Sequence, residues 1–396
     1  MKFIKTALCL SLSMAITACS EQVSVESRLT TAKSYLSENK VNESIIALKN
    51  AIRADAKNAE ARFLLGQIYL NLGDGASATK ELERANQFGY DANKVLPLLA
   101  RAYILTKSDA DVLALSEMAQ MLSPAEYSHY LAYKTLAELR SEKRLSAKDS
   151  VVLAKSIDGE NKYSLLALAY LRLAEQRYDE VRLLLLQILI LDDKQVDALL
   201  LQGQLSMITK EYAQAAQSFK VFLELQPRVG VVKLLLAEAL LKSERFDEAE
   251  KYADDILAKV KSQPFAHYIK AMVAFYNENY EQSSEHAEFS ISGGFNQYNL
   301  RLVAGASAFY LKNWELSYKH LSSVVKYLPK EHLGRRMLAV TQLELGLINE
   351  ISSTVSDFRN VSGDAQFVSS LSYKLLELGA IDEAKKLLEQ NDVTSP

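Results

Sequence analysis

Five aromatic residues follow one another at a constant interval of 34 residues in the second half of the chain. They are Tyr178, Tyr212, Phe246, Tyr280 and Trp314. Aromatic residues make up 9% of the sequence, so chance produces such a column in roughly 0.2% of comparable chains. Small residues stand nine positions before each aromatic: Ala169, Gly203, Ala237, Ala271 and Gly305. The chain therefore contains an internal repeat, and its fold must be built from repeated units.

These columns resemble the consensus of the tetratricopeptide repeat (TPR), a pair of antiparallel helices, here called A and B. The consensus has a small residue at position 8, an aromatic at 17, alanine near 20 and proline at 32. The copy at 196–229 places Gly203, Tyr212 and Pro227 accordingly, and Gly66 holds position 8 in an earlier copy. The resemblance implies an all-α, right-handed superhelical solenoid of about ten to eleven helical hairpins, some of them degenerate. We expect positions 8 and 20 to meet where the two helices approach most closely, so that only small side chains fit.

The repeat divides the chain into regions, because its phase slips once. The copy that opens at Asn93 and the copy that opens at Lys162 are separated by two periods plus one residue. We predict an N-terminal TPR block at 25–105, a degenerate joint at 106–161, and a C-terminal TPR block at 162–331. Residues 332–396 are predicted to hold degenerate repeats and a C-terminal cap.

The N-terminus has the features of a bacterial export signal. Lys2 and Lys5 precede an apolar stretch over residues 6–16, which is too short to span a bilayer. It ends in Ile-Thr-Ala-Cys at residues 16–19, which resembles a lipobox. We predict a signal peptide at 1–18, lipidation of Cys19 and a short linker at 19–24. The alternative is an ordinary secretory signal that leaves Cys19 as a free thiol. Ser20 after the cysteine implies outer-membrane sorting in the lipoprotein family, with the bulk of the chain in the periplasm.

Composition and motif searches argue against several classes of function. The two cysteines both precede residue 20, and the net charge of −3 disfavours a nucleic-acid binder. No nucleotide-binding, metalloprotease, hydrolase or calcium-loop pattern occurs, so we expect a non-enzymatic protein without cofactor or metal. His286 and His320 occupy the same repeat position. We expect both to be solvated, although a metal-binding pair is a conceivable alternative.

Aromatic and methionine side chains mark a candidate binding groove. TPR proteins line their concave face with positions 2, 5, 9, 12 and 13 of helix A, and in three copies these positions are rich in apolar rings. Such side chains suit an extended peptide, a partner helix or a sugar ring. The alternative is that they are ordinary core between helices. The candidate groove residues are Tyr163, Tyr170, Phe265, Tyr268, Met272, Phe275, Tyr276, Phe309 and Tyr310.

Two N-terminal segments carry a more particular resemblance. LGDGASA at 72–78 and VLPLLARA at 95–102 are similar to the opening of the PEP-CTERM/exosortase-associated TPR lipoproteins of the PrsT type. That resemblance implies a lipid-anchored scaffold in exopolysaccharide export or PEP-CTERM protein sorting, with envelope proteins as partners. Two alternatives remain open. One is an outer-membrane or pilus assembly factor, and the other is direct binding of peptide or glycan by the groove.

Overall fold

The computed structural model describes residues 24–330, 332–355 and 364–390. Over these residues the regular structure is helical throughout, apart from turns, which confirms the predicted all-α class. Helices pair into eleven consecutive antiparallel hairpins. The first helices of the hairpins are α1 (Val25–Ser37), α3 (Ala59–Asn71), α5 (Ala92–Leu105), α8 (Pro124–Arg140), α10 (Lys162–Ala174), α12 (Val196–Ile208), α14 (Gly230–Lys242), α16 (Pro264–Tyr276), α18 (Tyr298–Tyr310), α20 (Leu333–Glu344) and α22 (Asp364–Glu377).

The second helix of each hairpin returns antiparallel to the first. In the third hairpin it is broken into two short pieces, α6 and α7, and after α19 a short 3₁₀ turn covers Val325–Tyr327. The second helices are α2 (Val41–Ala54), α4 (Gly75–Gln87), α6 (Asp109–Ala114) with α7 (Ser116–Ala119), α9 (Arg144–Ile157), α11 (Tyr178–Leu191), α13 (Tyr212–Leu225), α15 (Phe246–Leu257), α17 (Tyr280–Ser292), α19 (Trp314–Val324), α21 (Ile348–Thr354) and α23 (Ile381–Gln390).

Helix α16 shows how the sequence sets the limits of a helix. Gln263 caps its start, because the side-chain oxygen accepts a hydrogen bond from the Ala266 backbone N–H at 2.7 Å. Pro264 follows at the first helical position, where its missing N–H costs nothing. The helix ends at Tyr276, and two residues later Glu278 takes a left-handed conformation with φ of 59°. That residue reverses the chain into α17.

A left-handed residue between the two helices recurs in every described hairpin. Successive positions lie 34 residues apart, except for 35 between Lys107 and Glu142 and 33 between Gly346 and Gly379. The phase slip seen in the sequence therefore falls where the broken helices α6 and α7 replace one continuous helix. The turn positions are Asn39, Gly73, Lys107, Glu142, Gln176, Lys210, Glu244, Glu278, Lys312, Gly346 and Gly379.

The small residues at position 8 are buried, and three of the six are glycines in close contact with the second helix. A Cβ on Gly203 would lie 2.3 Å from Phe219, and one on Gly305 would lie 2.7 Å from Leu321. Each partner stands at position 24, one helical turn beyond the position 20 that the sequence argument paired with the glycine. The reason is that helical side chains lean towards the N-terminus of their own helix and cover the preceding turn.

The chain forms two compact units, and the division falls inside α10, between Ala167 and Leu168. In the first unit Tyr130 and Tyr133 are among the largest fully buried side chains, and in the second Phe219 is. The range 106–161, predicted as a joint, lies wholly within the first unit and forms α6 to α9. The other predicted region boundaries stay predictions.

The predicted signal peptide at 1–18 and the lipidation site Cys19 lie outside the described residues. Within the part of the chain that the structure covers, none of the helices combines the length and the apolarity needed to cross a bilayer.

Candidate functional site

An open cleft of about 580 Å³ crosses three hairpins of the second unit. Its walls come from the C-terminal ends of α14 and α16, from α18 and from the starts of α15 and α17. Five of the nine candidate groove residues line it: Tyr268, Met272, Phe275, Tyr276 and Tyr310. The remaining lining residues are Leu241, Lys242, Glu244, Phe246, Glu278, Tyr280 and Asn299.

Stacked aromatic pairs form one side of the cleft. Phe246 stacks on Tyr276 with ring centroids 3.8 Å apart, and Tyr280 stacks on Tyr310 at 4.2 Å. In both pairs the first residue of a second helix contacts the last residue of the next first helix, 30 residues later. Repetition of the hairpin therefore produces the aromatic ladder directly. Tyr276 and Tyr310 remain 61% and 45% exposed, so the ladder is open to a ligand.

The floor of the cleft is apolar but holds one polar pair. Tyr268 is 6% exposed, and its hydroxyl accepts a hydrogen bond from the Asn299 side-chain amide at 3.0 Å. Burial raises the pKa of the Tyr268 phenol, while the Asn299 hydrogen bond partly opposes that rise. The phenol is therefore neutral near pH 7. Met272 and Phe275 pack against the adjoining core and are half-buried.

Charged side chains occupy the rim of the cleft. Lys242 is engaged on two sides, because its ammonium lies 3.3 Å from Glu238 and 5.4 Å from the centre of the Tyr212 ring. Glu244 and Glu278 sit at the left-handed turns of consecutive hairpins, and both are exposed. Neither carboxylate forms a hydrogen bond or ion pair with another described residue.

The other candidate groove residues do not line this cleft. Phe265 contacts Phe295 edge-on at 5.1 Å, and Phe309 contacts Trp314 in the same manner at 5.7 Å. Tyr170 is buried in the second unit. Tyr163 belongs to the first unit, where it stacks on His129 at 3.6 Å.

His286 and His320 are not both solvated, as the sequence argument expected them to be. His320 is fully buried, and its Nε2 lies 2.5 Å from a Glu288 carboxylate oxygen on the preceding second helix. His286 is half-buried, with its Nδ1 3.0 Å from Nδ1 of His267. Burial lowers the pKa of both His286 and His320. The expectation was wrong because the first helix of its own hairpin covers His286, and Glu288 of the preceding hairpin contacts His320.

Two features were missed in the sequence. The first is the pair of glutamates at the left-handed turns, Glu244 and Glu278. The turn position has no fixed residue type, but the 34-residue interval between these two glutamates was a usable signal. An exposed apolar stripe on α11 was also missed, formed by Leu183, Leu186 and Ile190. Eight of the nine residues at 183–191 are apolar, more than one buried helix face can hold. This surplus of apolar residues was the signal for the exposed stripe. In the described ranges no three His, Cys, Asp or Glu side chains are grouped so as to hold a metal ion.

Comparison with known families matches two stretches of the chain. A tetratricopeptide repeat profile matches residues 207–273, and a TPR repeat profile matches residues 32–73. The chain carries tetratricopeptide repeats. The longer TPR match runs through α13 to α16 and so includes one wall of the cleft. Together with the stacked hairpins, these matches confirm the predicted TPR solenoid, whereas the PrsT type stays a prediction.

Similar TPR structures have been solved, at low sequence identity. Pseudomonas aeruginosa pilF is 18% identical over 56% of this chain and 99% of its own, with a TM-score of 0.46. YrrB, described as a TPR protein with an unusual peptide-binding site, is 17% identical over 45% and 93%, with a TM-score of 0.39. Yeast Tom70 is 13% identical over 94% and 97%, with a TM-score of 0.35. No curated protein matches the chain.

Proposed function

We propose that this TPR chain is a non-enzymatic, lipid-anchored scaffold that binds partner proteins at the bacterial cell envelope. The observation that carries the proposal is the cleft of the second unit, where exposed tyrosines of consecutive hairpins line one continuous surface. Aromatic rings give a large contact area at a small entropic cost, and they are enriched in protein interfaces. A cleft built from repeated hairpins also suits a ligand that runs along the array.

The finer role that we propose lies in exopolysaccharide export or PEP-CTERM protein sorting at the outer membrane. Its support is the resemblance of segments 72–78 and 95–102 to that lipoprotein family. The first of these segments also has a structural role. Gly73 takes a left-handed φ of 77°, and a Cβ on Gly75 would lie 2.8 Å from Leu105. Because the segment is explained in part by packing, the identity of the bound partners is the test of this role.

The anchor is tested by replacing the proposed lipidation site. We expect Cys19→Ser to move the protein from the membrane fraction to the soluble periplasmic fraction, because the lipid chains supply the affinity for the bilayer. Cys9→Ser is the matched control. It changes the second cysteine of the chain, which lies inside the predicted signal peptide, and should leave the protein in the membrane fraction. If Cys19→Ser stays with membranes, lipidation is not the tether.

Partner binding is tested by crosslinking in cells. A photo-crosslinking residue at Tyr276 or Tyr310 should capture a defined envelope protein, while the same residue at the exposed Glu142 of the first unit should not. Capture of polysaccharide-export or exosortase components supports the finer role. Capture of pilus or outer-membrane assembly components would replace it, and no specific product from the cleft would contradict the scaffold itself.

A further inference from the structure

We propose that the cleft of the second unit binds an extended segment of a partner protein that carries two basic side chains. The inference rests on the proposed scaffold function and names the chemistry of the partner. Each Lys or Arg side chain lies along an exposed tyrosine, and its charged end meets the carboxylate of the neighbouring turn. One site consists of Tyr276 with Glu244, and the equivalent site one hairpin later consists of Tyr310 with Glu278.

The rim of the cleft has an uncompensated negative charge. Lys242 is the one basic lining residue, and Glu238 and the Tyr212 ring already engage it. Glu244 and Glu278 have no cationic partner among the described residues. A basic ligand supplies that partner, whereas an acidic one would be repelled.

The tyrosines provide the second half of each site. One face of Tyr276 is covered by Phe246 and one face of Tyr310 by Tyr280, yet both residues keep about half of their surface open. A cation placed over an open aromatic face is attracted by the ring, and guanidinium groups also stack flat on it. A ring beside a free carboxylate therefore favours Arg or Lys over a neutral apolar side chain.

The repeat sets the spacing of the two basic residues. Helices α14, α16 and α18 contact one another in order, and packed helices lie about 8–10 Å apart. A chain in the polyproline II conformation advances about 3.1 Å per residue and has three residues per turn, so residues three apart lie on the same face about 9 Å from each other, which matches equivalent points on consecutive hairpins. The partner segment accordingly carries basic residues at positions i and i+3.

The flanking hairpins limit the length of this segment. Lys210 and Lys312 occupy the same turn position immediately before Glu244 and after Glu278. A long polybasic tract would bring like charges together at both ends, which selects against it. The surface therefore matches a short pair of basic residues rather than a general polycation.

The test uses the full chain and a labelled peptide. The probe is an extended Ser/Thr/Ala peptide of about twelve residues with two arginines three positions apart, measured by fluorescence anisotropy. Citrulline and glutamate versions are its controls. Exposed charge pairs contribute little singly, so we expect Glu244→Lys with Glu278→Lys to weaken binding on the order of ten-fold. Because Lys already occupies this turn at Lys107, Lys210 and Lys312, the double variant should fold.

Glu142→Lys is the matched control, since it makes the same change at the same turn position in the first unit. The inference stands if the double variant loses arginine-peptide binding and Glu142→Lys does not. Equal binding of the citrulline peptide, or preference for glutamate, overturns it. So does retention of envelope oligosaccharides without binding of the arginine peptide. If crosslinking in cells still captures a partner and the double variant leaves that capture unchanged, the scaffold survives and this inference fails.

Discussion

At the scale of single residues, the position 8 column shows how much packing depends on one missing side chain. Gly203 brings the ring of Phe219 against the first helix of its own hairpin, whereas other copies manage with alanine at this position. Its partner at position 24 is an aromatic ring, whereas the partners of Gly66 and Gly305 are Leu82 and Leu321.

Gly203→Ala should destabilise the second unit by about 1–3 kcal/mol, because the new Cβ would overlap Phe219 and force it off its position. Gly230→Ala is the control. No atom lies within 4 Å of its added Cβ, and it begins α14, so the change should be neutral or stabilising by up to ~1 kcal/mol. Urea denaturation of both variants measures the difference. Equal urea midpoints for the two variants would show that the close approach of Gly203 to Phe219 does not contribute to stability.

His320 makes stability depend on pH. Burial lowers its pKa in the folded state below the ordinary value of 6.5, although Glu288 opposes the shift and Lys319 and Arg301 add to it. The unfolded chain therefore binds the proton more readily, and stability is lost as pH falls from 6.5 towards the folded pKa. Each pKa unit of separation corresponds to about 1.4 kcal/mol.

The measurement is the free energy of unfolding at pH 7.5 and pH 5.5, above the range where ordinary carboxyl groups titrate. We expect the wild-type chain to be less stable at pH 5.5 and His320→Gln to lose part of that dependence. The pKa of His286 is also lowered, so His286 should account for part of the pH dependence that remains in the variant. Stability that rises on acidification would contradict the neutral, buried state of His320.

At the scale of single helices, α11 differs from an ordinary amphipathic helix. Leu184, Leu185 and Ile188 bury one face, while Leu183, Leu186 and Ile190 leave a second apolar face exposed. Periodicity alone could not separate the two faces, because nearly every position from 183 to 191 is apolar and the alternation that normally marks the outside is missing. Which leucines are inside depends on the neighbouring helices.

Adjacent leucines in α11 should therefore respond differently to substitution. Leu185→Ala should cost about 2–5 kcal/mol, because Leu185 is 1% exposed and its loss leaves a cavity. Leu186→Gln should change the free energy of unfolding by less than about 0.5 kcal/mol, because that side chain is 57% exposed. Thermal unfolding distinguishes them, and a large loss in Leu186→Gln would mean that its face is covered in solution.

At the scale of the whole chain, the principal contacts join helices of the same or neighbouring hairpins. In arrays of this kind, stability is a sum of local terms, so a local defect should open local structure. In hydrogen exchange, Gly203→Ala should raise exchange in α12 and α13 and their neighbours while residues 25–105 stay protected. A uniform increase along the chain would show instead that the array unfolds as one cooperative unit.

This locality also explains how much of the molecule was predictable. The all-α class, the hairpin count and the buried columns at Gly203 and Gly305 follow from the sequence, because repeated contacts leave a repeated pattern. The cleft was predictable in part. Tyr276 and Tyr310 follow from TPR positions, but Phe265 and Phe309 occupy equally good positions and pack elsewhere. Glu244 and Glu278 could not be found by residue type, because their turn constrains only the backbone and accepts Asn, Gly, Lys, Glu or Gln.

The left-handed turns have a consequence for how such a chain can change in length. Every described hairpin reverses through the same backbone conformation, so any two turns are interchangeable junctions. Deleting residues 211–244 would join Lys210 directly to Arg245 and recreate a turn that the chain already uses, with one hairpin fewer. Duplicating the same segment would add one. The turns thus divide the chain into modules. The number of modules can vary while the backbone geometry at each turn stays the same.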